Sequence, residues 1–429
     1  MSFNGKLSDV VNIIGGGTPK RSIPDYWGEG IPWLSVADFN SDSRYVDEAK
    51  ESITIEGLEK SSTKLLKSGM LIISARGTVG CLAQLTKEMA FNQSCYGLDG
   101  KRELIQNNYL YYLVKQKVSE LQKKGHGAVF NTITRETFDH ISIELPSLEV
   151  QSNISGILGA IDNKIANNKS MNQTLEKIAQ RIFKSWFIDF DPVKANKEGL
   201  PFDGLSPEVQ ALFPNDFEVS ELGMIPKGWN VEPLSSLINI NPKRTIKKGT
   251  VTHHIDMKVL PTSSMSINGV SSKEFKSGTK FINHDTLLAR ITPCLENGKT
   301  AYVNCIPGND IAWGSTEFIV MNPKNEYIRE YTYLLARSDE LRAYAIKNMT
   351  GTSGRQRVSG ALIGEFQIPQ PDENIIKAFH KITASLFAKI SLNTANSVAL
   401  EKTRDRLLPK LISGQISVSE AKQELAEAV

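Results

Sequence analysis

Long apolar runs are missing from this sequence. No stretch approaches the roughly 20 consecutive apolar residues that cross a bilayer. The opening MSFNGKLSDV also lacks the basic-then-apolar pattern of a secretory leader. A cytoplasmic protein with no membrane partner is the expectation. Cysteine is scarce: Cys81, Cys95, Cys294 and Cys305 form no CxxC and have no histidine at ligand spacing. Neither a disulfide framework nor a zinc site is expected, and the four read as free thiols of a reducing compartment. No charge of one sign dominates, with 50 Lys plus Arg against 47 Asp plus Glu. That balance leaves nucleic acid open as a partner, because local clustering and not net charge makes the footprint. A GxxxxGK[ST] phosphate loop is absent, which excludes the usual ATP engine. Gly15-Gly16-Gly17 runs into Thr-Pro with no helix after it, so it is not a dinucleotide cradle. His253 and His254 are adjacent, and on a strand they would point to opposite faces. Asp285, Glu296 and Lys299 have a commonplace spacing. Structural or surface roles are expected for all five, and no metal site.

What is present is a chain written twice. At 429 residues with 40% hydrophobic content, it can fill two cores. KLSDVVNIIGGGTPKR, ending at Arg21, is answered by VEPLSSLININPKR, ending at Arg244. TKLLKSGMLIISARGTVG (63–80) is answered by TKFINHDTLLARITP (279–293), which pairs Arg76 with Arg290. MAFNQS (89–94) matches IAWGST (311–316), and NYLYYL (108–113) matches EYTYLL (330–335). The two copies close on ISIELP and FQIPQP, and the offset stays between 214 and 225 residues. A period of this kind means a duplicated fold. Within each copy, short β-branched runs punctuated by Gly, Pro and Asn alternate with helical patterns, as in mixed α and β structure. VVNII, LIISA and ISIEL read as strands, and 107–124 as a helix.

After each copy the pattern changes. From Gln151 to about Phe190 there is no proline, and Ile154, Ile161, Leu175 and Ile182 recur with Leu158, Ile165, Ala179 and Trp186 at companion positions. That heptad frame makes a long helix built to pack on another helix. At about 1.5 Å per residue, 154–186 spans roughly 48 Å. From Glu373 to Leu408 the frame returns at an offset of 225, with Phe379, Leu386, Leu400 and Leu407, and with Ser397 and Arg404 polar at companion positions. Asn168 and Asn393 occupy the same central site of the two helices. Either they face water at a slack point, or they form a buried polar layer that fixes register where antiparallel helices cross.

The segment Phe183–Trp229, with WFIDFDPVKA, ALFP and SELGMIPKGW, resembles the central conserved region of the specificity subunits of type I restriction–modification systems. GGGTPKR, IPWLSVADF (31–39), NPKRTIKKGT and LLARITPCLENGKTAYV (287–303) also resemble that family, so the likeness covers essentially the whole chain. It implies an α+β fold: two similar mixed α/β target recognition domains, related by a pseudo-two-fold and separated by two long antiparallel helices. The implied segments are recognition domain 1 (1–148), spacer helix 1 (149–190), a central linker (191–218), recognition domain 2 (219–371), spacer helix 2 (372–412) and a tail (413–429). Each recognition domain would read half of a bipartite double-stranded DNA site. Partners would be two methyltransferase subunits and, in the complete complex, two restriction subunits. S-adenosylmethionine, ATP and magnesium would sit on those partners, so this chain itself carries no cofactor and no catalytic residue. In keeping with that, the Asn/Asp-Pro-Pro-aromatic tetrapeptide of an amino-methyltransferase is absent: Asn241-Pro242 and Asn322-Pro323 both continue with Lys. A stand-alone bivalent DNA-binding regulator is the alternative, and it would need no partner.

Phosphate contacts need cations on small loops, and base contacts need forked donors. In the first copy these are Gly17, Thr18, Lys20, Arg21, Arg76, Thr78, Asn131 and Arg135. In the second they are Lys243, Arg244, Lys247, Lys248, Arg290, Lys299, Arg355 and Arg357, with GTSGRQR (351–357) the strongest single loop. The competing account of any one of them is an ordinary solvated charge. Trp186, Phe187 and Phe190 either pack a core or dock the methyltransferase.

Overall fold

The computed structural model describes residues 3–40, 43–124, 132–267, 269–308, 310–352 and 354–428. Two compact units emerge: Met1–Asn167 with Asn396–Val429, and Asn168–Ala395. The division falls inside both long helices, Leu148–Phe187 and Glu373–Ile412, so each unit owns part of each helix. Among the described residues no helix is long and apolar enough to cross a membrane.

In the first unit the strands are β1 (Phe3–Lys6), β2 (Val11–Gly15), β3 (Trp27–Leu34), β4 (Tyr45–Val46), β5 (Glu51–Ile53), β6 (Leu65–Leu66), β7 (Leu71–Ser74), β8 (Leu82–Leu85), β9 (Met89–Phe91), β10 (Cys95–Gly100) and β11 (Ser142–Leu145). β1 pairs with β11, and two sheets run β2-β10-β7-β8-β4 and β5-β3-β9-β6. The second unit begins with a hairpin of β12 (Phe217–Ser220) and β13 (Gly223–Pro226). It continues with β14 (Asn230–Pro233), β15 (Ile238–Ile240), β16 (Val251–Ile255), β17 (Ser271–Glu274), β18 (Thr279–Phe281), β19 (Thr286–Ala289), β20 (Thr300–Tyr302), β21 (Ala312–Gly314), β22 (Phe318–Pro323) and β23 (Gln367–Gln370). Here β14 pairs with β23, and the sheets run β15-β22-β19-β20 and β17-β16-β21-β18. Apart from β4, an edge strand that the first unit adds beside β8, the strand order is that of the first unit, so the duplication seen in sequence is a duplication of topology.

Burial explains the central strands. Every residue of β7 and of β19 is buried, as expected of short continuous apolar runs covered on both faces. The helix Asn107–Lys124 covers one face, with Tyr109 to Val114 all buried. The two units fill one matching site differently. Trp33 lies opposite Ala90 across the parallel pair β3–β9, whereas His254 lies opposite Trp313 across β16–β21. Volume moved from one strand to the other while the pair kept its register.

Backbone bonds correct the sequence pairing of Arg76 with Arg290. Ala75 donates to Ser94 and accepts from Ile133; Arg290 donates to Glu317 and accepts from Val358. Ser74 pairs with Cys95, and Ala289 with Phe318. Ala75 is therefore the counterpart of Arg290, and Arg76 that of Ile291. In an extended segment a shift of one residue reverses the face on which a side chain lies, so the two arginines are not equivalent.

The long helices are antiparallel within each unit. In the second, Asn168 meets Asn393 and Asn172 meets Ile390; in the first, Asp162 meets Arg404. The first helix stops after Phe187, where Ile188 and Asp189 both donate to the Lys184 carbonyl. Phe190 then takes a left-handed φ of 56° ahead of the helix Asp191–Glu198. Its ring packs on Phe217 and Trp229, 6.2 and 5.8 Å between centroids, which offsets the strain of that backbone.

Candidate nucleic-acid interface

Four connections meet at one end of the first unit's sheets. Gly17 N–H donates to Phe91 O, tying the 16–21 loop to the 92–94 loop. Ala75 N–H donates to Ser94 O and Ile133 N–H to Ala75 O, which adds the 76–80 loop and the segment before the helix Arg135–Asp139. Two of these bonds recur in the second unit, where Arg290 N–H donates to Glu317 O and Val358 N–H to Arg290 O; Asn241 N–H instead extends the β15–β22 ladder onto Val320 O.

Hydrogen bonding divides the candidate cations into committed and free. Arg244 is committed: it grips fully buried Asp285 through two bonds of 2.5 and 3.0 Å, and Asp285 also accepts from Asn322 and Ile282 N–H. Burial raises the Asp285 pKa, and Arg244 only partly offsets it. The geometry thus moves Arg244 out of the DNA set and into the core. Lys299 leaves it too, because its Nζ donates to Met257 O at 2.8 Å; with Asp285 buried, no carboxylate–lysine pair assembles there. Arg357 is held by Glu317 through bonds of 2.7 to 3.0 Å. Arg21 pairs with Glu51 at 2.8 Å and stacks 3.8 Å over Trp27. Both remain at the surface with their charge already answered.

The free set comprises Lys20, Arg76, Arg135, Lys243, Lys247, Lys248 and Arg355, all exposed and without an ion pair among the described residues. Arg76 and Thr78 project from a tight loop closed by Gly80 N–H on Ser74 O, with Gly77 at φ 77°. Arg355 stands on a hairpin turn closed by mutual Thr350 and Arg357 backbone bonds. Arg290 is half-buried, with its Nε enclosed and unpartnered. Asn131 lies outside the described residues.

Gly17 needs a different explanation from the one the sequence suggested. A Cβ there would lie 2.4 Å from the Ser62–Thr63 backbone, and at Gly16 it would lie 2.1 Å from Asn92 O. Gly17 O also accepts from Trp33 Nε1 at 3.1 Å. With donor and acceptor both used inside the fold, Gly17 has no backbone group left for a phosphate. The glycine run serves close packing. Thr18 donates its hydroxyl to exposed Gln93.

A family model for the type I restriction modification DNA specificity domain matches residues 4–177 and 226–402. This chain belongs to that family. It is 30% identical to the MjaIX specificity subunit of Methanocaldococcus jannaschii, over 97% of this chain and 93% of that one. It is 26% identical to the HindI specificity subunit of Haemophilus influenzae, over 71% and 76%. Its fold is similar to that of the type I restriction-modification S subunit from M. genitalium, with TM-score 0.54, 14% identity and 96% of each chain covered.

In this family member, the loops joined by the two shared bonds carry different side chains in the two units while the main strands keep their order. Sequence reasoning missed Gln93, a forked donor and acceptor at the edge of that cluster, whose counterpart by strand register is Thr316. By that register MAFNQS lies on AWGSTE, one residue away from its sequence match with IAWGST, and all three polar positions differ between the units.

The helix residues sort as well. Asn168 and Asn393 are both buried, and Asn168 Nδ2 donates to the Asn393 carbonyl at 3.4 Å. The amide-to-amide bond of the layer runs from Asn393 to Asn172 at 2.9 Å, and Asn172 donates to Thr394 at 3.1 Å. Trp186 and Phe187 are 2% and 3% exposed, so the docking role offered for them gives way to a core role. Trp186 packs 5.0 Å from Phe213 and Phe187 packs 4.9 Å from Phe379. Half-buried Phe190 packs on Phe217 and Trp229.

Proposed function

We propose that this chain reads a bipartite, asymmetric double-stranded DNA site, one half-site per unit, and holds methyltransferase subunits on it. The observation that carries the reading is the pair of units that share a strand order apart from β4 and close their loops with the same two backbone bonds, Ala75–Ser94 with Ile133–Ala75 and Arg290–Glu317 with Val358–Arg290, yet carry different free cations. Equal scaffolds with unequal loops fit unequal half-sites, as a two-fold dimer fits a palindrome. Lys20, Lys243, Lys247 and Lys248 suit phosphates, while Arg76, Arg135, Arg355 and Gln93 have the forked geometry that suits base edges. The two long helices, each running through both units, suit the task of keeping one gap between half-sites.

Two methyltransferase subunits, and two restriction subunits in the complete complex, are the partners this reading assigns. S-adenosylmethionine, ATP and magnesium belong on those subunits, which makes this chain the non-catalytic member of a cytoplasmic complex. Co-expression with a type I methyltransferase subunit of the same genome is the test. Co-purification of the two, with adenine methylation that disappears when this chain is omitted, supports the reading. Specific DNA binding by the isolated chain with no effect on methylation favours the stand-alone regulator.

A further inference from the structure

Within the first unit a chain of buried polar contacts runs from sheet to helices. Gln84, on β8, is held by Gly69 O at 3.0 Å and accepts from the guanidinium of Arg44 at 2.8 and 3.0 Å. Arg44 Nη1 donates to the Tyr112 hydroxyl at 3.0 Å, and Tyr112 donates to Asp162 on the first long helix at 2.5 Å. Asp162 in turn accepts from Arg404 on the second long helix at 2.7 Å. Arg44, Gln84, Asp162 and Arg404 are each less than 9% exposed.

Such a chain is an expensive way to join a sheet to two helices, because every charge in it must be taken out of water. The other unit shows that the repeat frame does not require charges at these two helix positions, although it has a buried tie of its own, from the Tyr333 hydroxyl to Glu176 on the first long helix. At the offset of 225, Phe387 stands where Asp162 does, and Ala179 where Arg404 does, and both are buried. Phe387 packs on Tyr302 and Tyr333, 5.2 and 5.7 Å between centroids. Apolar contacts of that kind tolerate small slides, whereas linked hydrogen bonds accept one arrangement. The helix itself is cut to fit: Gly159, one turn before Asp162, would place a Cβ 3.0 Å from Arg44 Nη1. A mid-helix glycine costs roughly 1 kcal/mol against alanine, and here it admits the guanidinium.

We infer that the Arg44–Tyr112–Asp162–Arg404 chain is a positioning device that fixes the angle of the first DNA-reading unit on the two long helices and thereby sets the accepted gap between half-sites. The inference rests on the reading of the two units as readers of two half-sites. One base pair advances about 3.4 Å along duplex DNA, so a unit that slides on its helices by a comparable amount would accept a gap one base pair longer or shorter.

The experiment uses the complex of this chain with its methyltransferase partners. Duplexes carry the target found for the wild type, with both half-sites intact and the gap native, shortened or lengthened by one base pair. The wild type methylates one gap. D162L/R404M replaces the pair by apolar side chains, and Tyr112→Phe keeps the ring while removing two hydrogen bonds. Each variant is expected to keep both half-sites and to lose about tenfold in preference for the native gap, within the range of coupling between contacting groups. Arg404→Lys, which retains the charge pair, should restore most of the wild-type profile. If the double variant fails to fold, Tyr112→Phe alone decides. A folded variant with the wild-type gap preference overturns the inference and leaves the network a plain stabiliser. A wild-type complex with no gapped target overturns the underlying reading, and the inference with it.

Discussion

Replacing Arg244 by methionine separates a core arginine from a DNA arginine. Asp285 is fully buried and would lose two of its four recorded hydrogen bonds to side chains and backbone, keeping those from Asn322 and Ile282 N–H. Breaking a buried pair by removing one partner costs about 3–5 kcal/mol, and the two surviving donors favour the lower end. At about 2–4 °C per kcal/mol for a unit of this size, the melting temperature should fall by about 6–12 °C. Burial already raises the Asp285 pKa despite Arg244, and without the guanidinium it rises further. The folded variant then holds a proton that the unfolded chain releases, so its deficit should shrink as pH falls towards the ordinary carboxylate range. R244M/D285N should recover much of the loss at neutral pH. The assay is thermal unfolding at pH 5 and pH 7.5, beside DNA affinity against salt. An unchanged melting temperature together with a salt slope lowered by about 0.9 would refute the assignment and return Arg244 to the phosphate contacts.

Lys247→Ala should do the reverse, leaving stability within about 0.5 kcal/mol and lowering the slope of log affinity against log salt by about 0.9, as read by titration at several salt concentrations. Trp186→Ala removes a ring packed against Phe213 and Phe379 and should cost about 3–5 kcal/mol of stability, measured by denaturant unfolding. Burial lifts the Glu176 carboxyl above its ordinary value, against the bonds from Tyr333 and Met265 N–H. The stability from this group is full below the ordinary carboxylate range and falls as pH rises through the folded value. Glu176→Gln should therefore narrow the difference between the melting temperatures at pH 5 and pH 7.5.

The duplication, the long helices and the family were legible because each is written in many residues at once. Eight apolar heptad positions fix a helix better than any single residue fixes a site. The register of short strands was less legible. TLLAR can be laid on LIISAR with its arginines matched, and only the ladder Ser74–Cys95 against Ala289–Phe318 shows the one-residue shift. Cations were hardest, since Arg244 and Lys247 look alike as letters. Their difference lies in Asp285, forty-one residues from Arg244 and brought to it by the fold. Arg404 was visible as a polar interruption of an apolar stripe, but its partner Asp162 lies 242 residues away on the other helix. Gly17 misled because a glycine-rich loop beside a cation suits a phosphate and a tight backbone crossing equally well.

The most direct measurement is a genome-wide map of methylated adenines in cells carrying the methyltransferase with this chain, and with its Arg355→Ala variant. The account predicts a gapped motif of two unlike half-sites at one spacing for the wild type. In the variant, one position of one half-site is relaxed, at about 1–3 kcal/mol, and the other half-site is unchanged. A single ungapped motif, or loss of discrimination spread over both half-sites, would contradict the division of recognition between the two units.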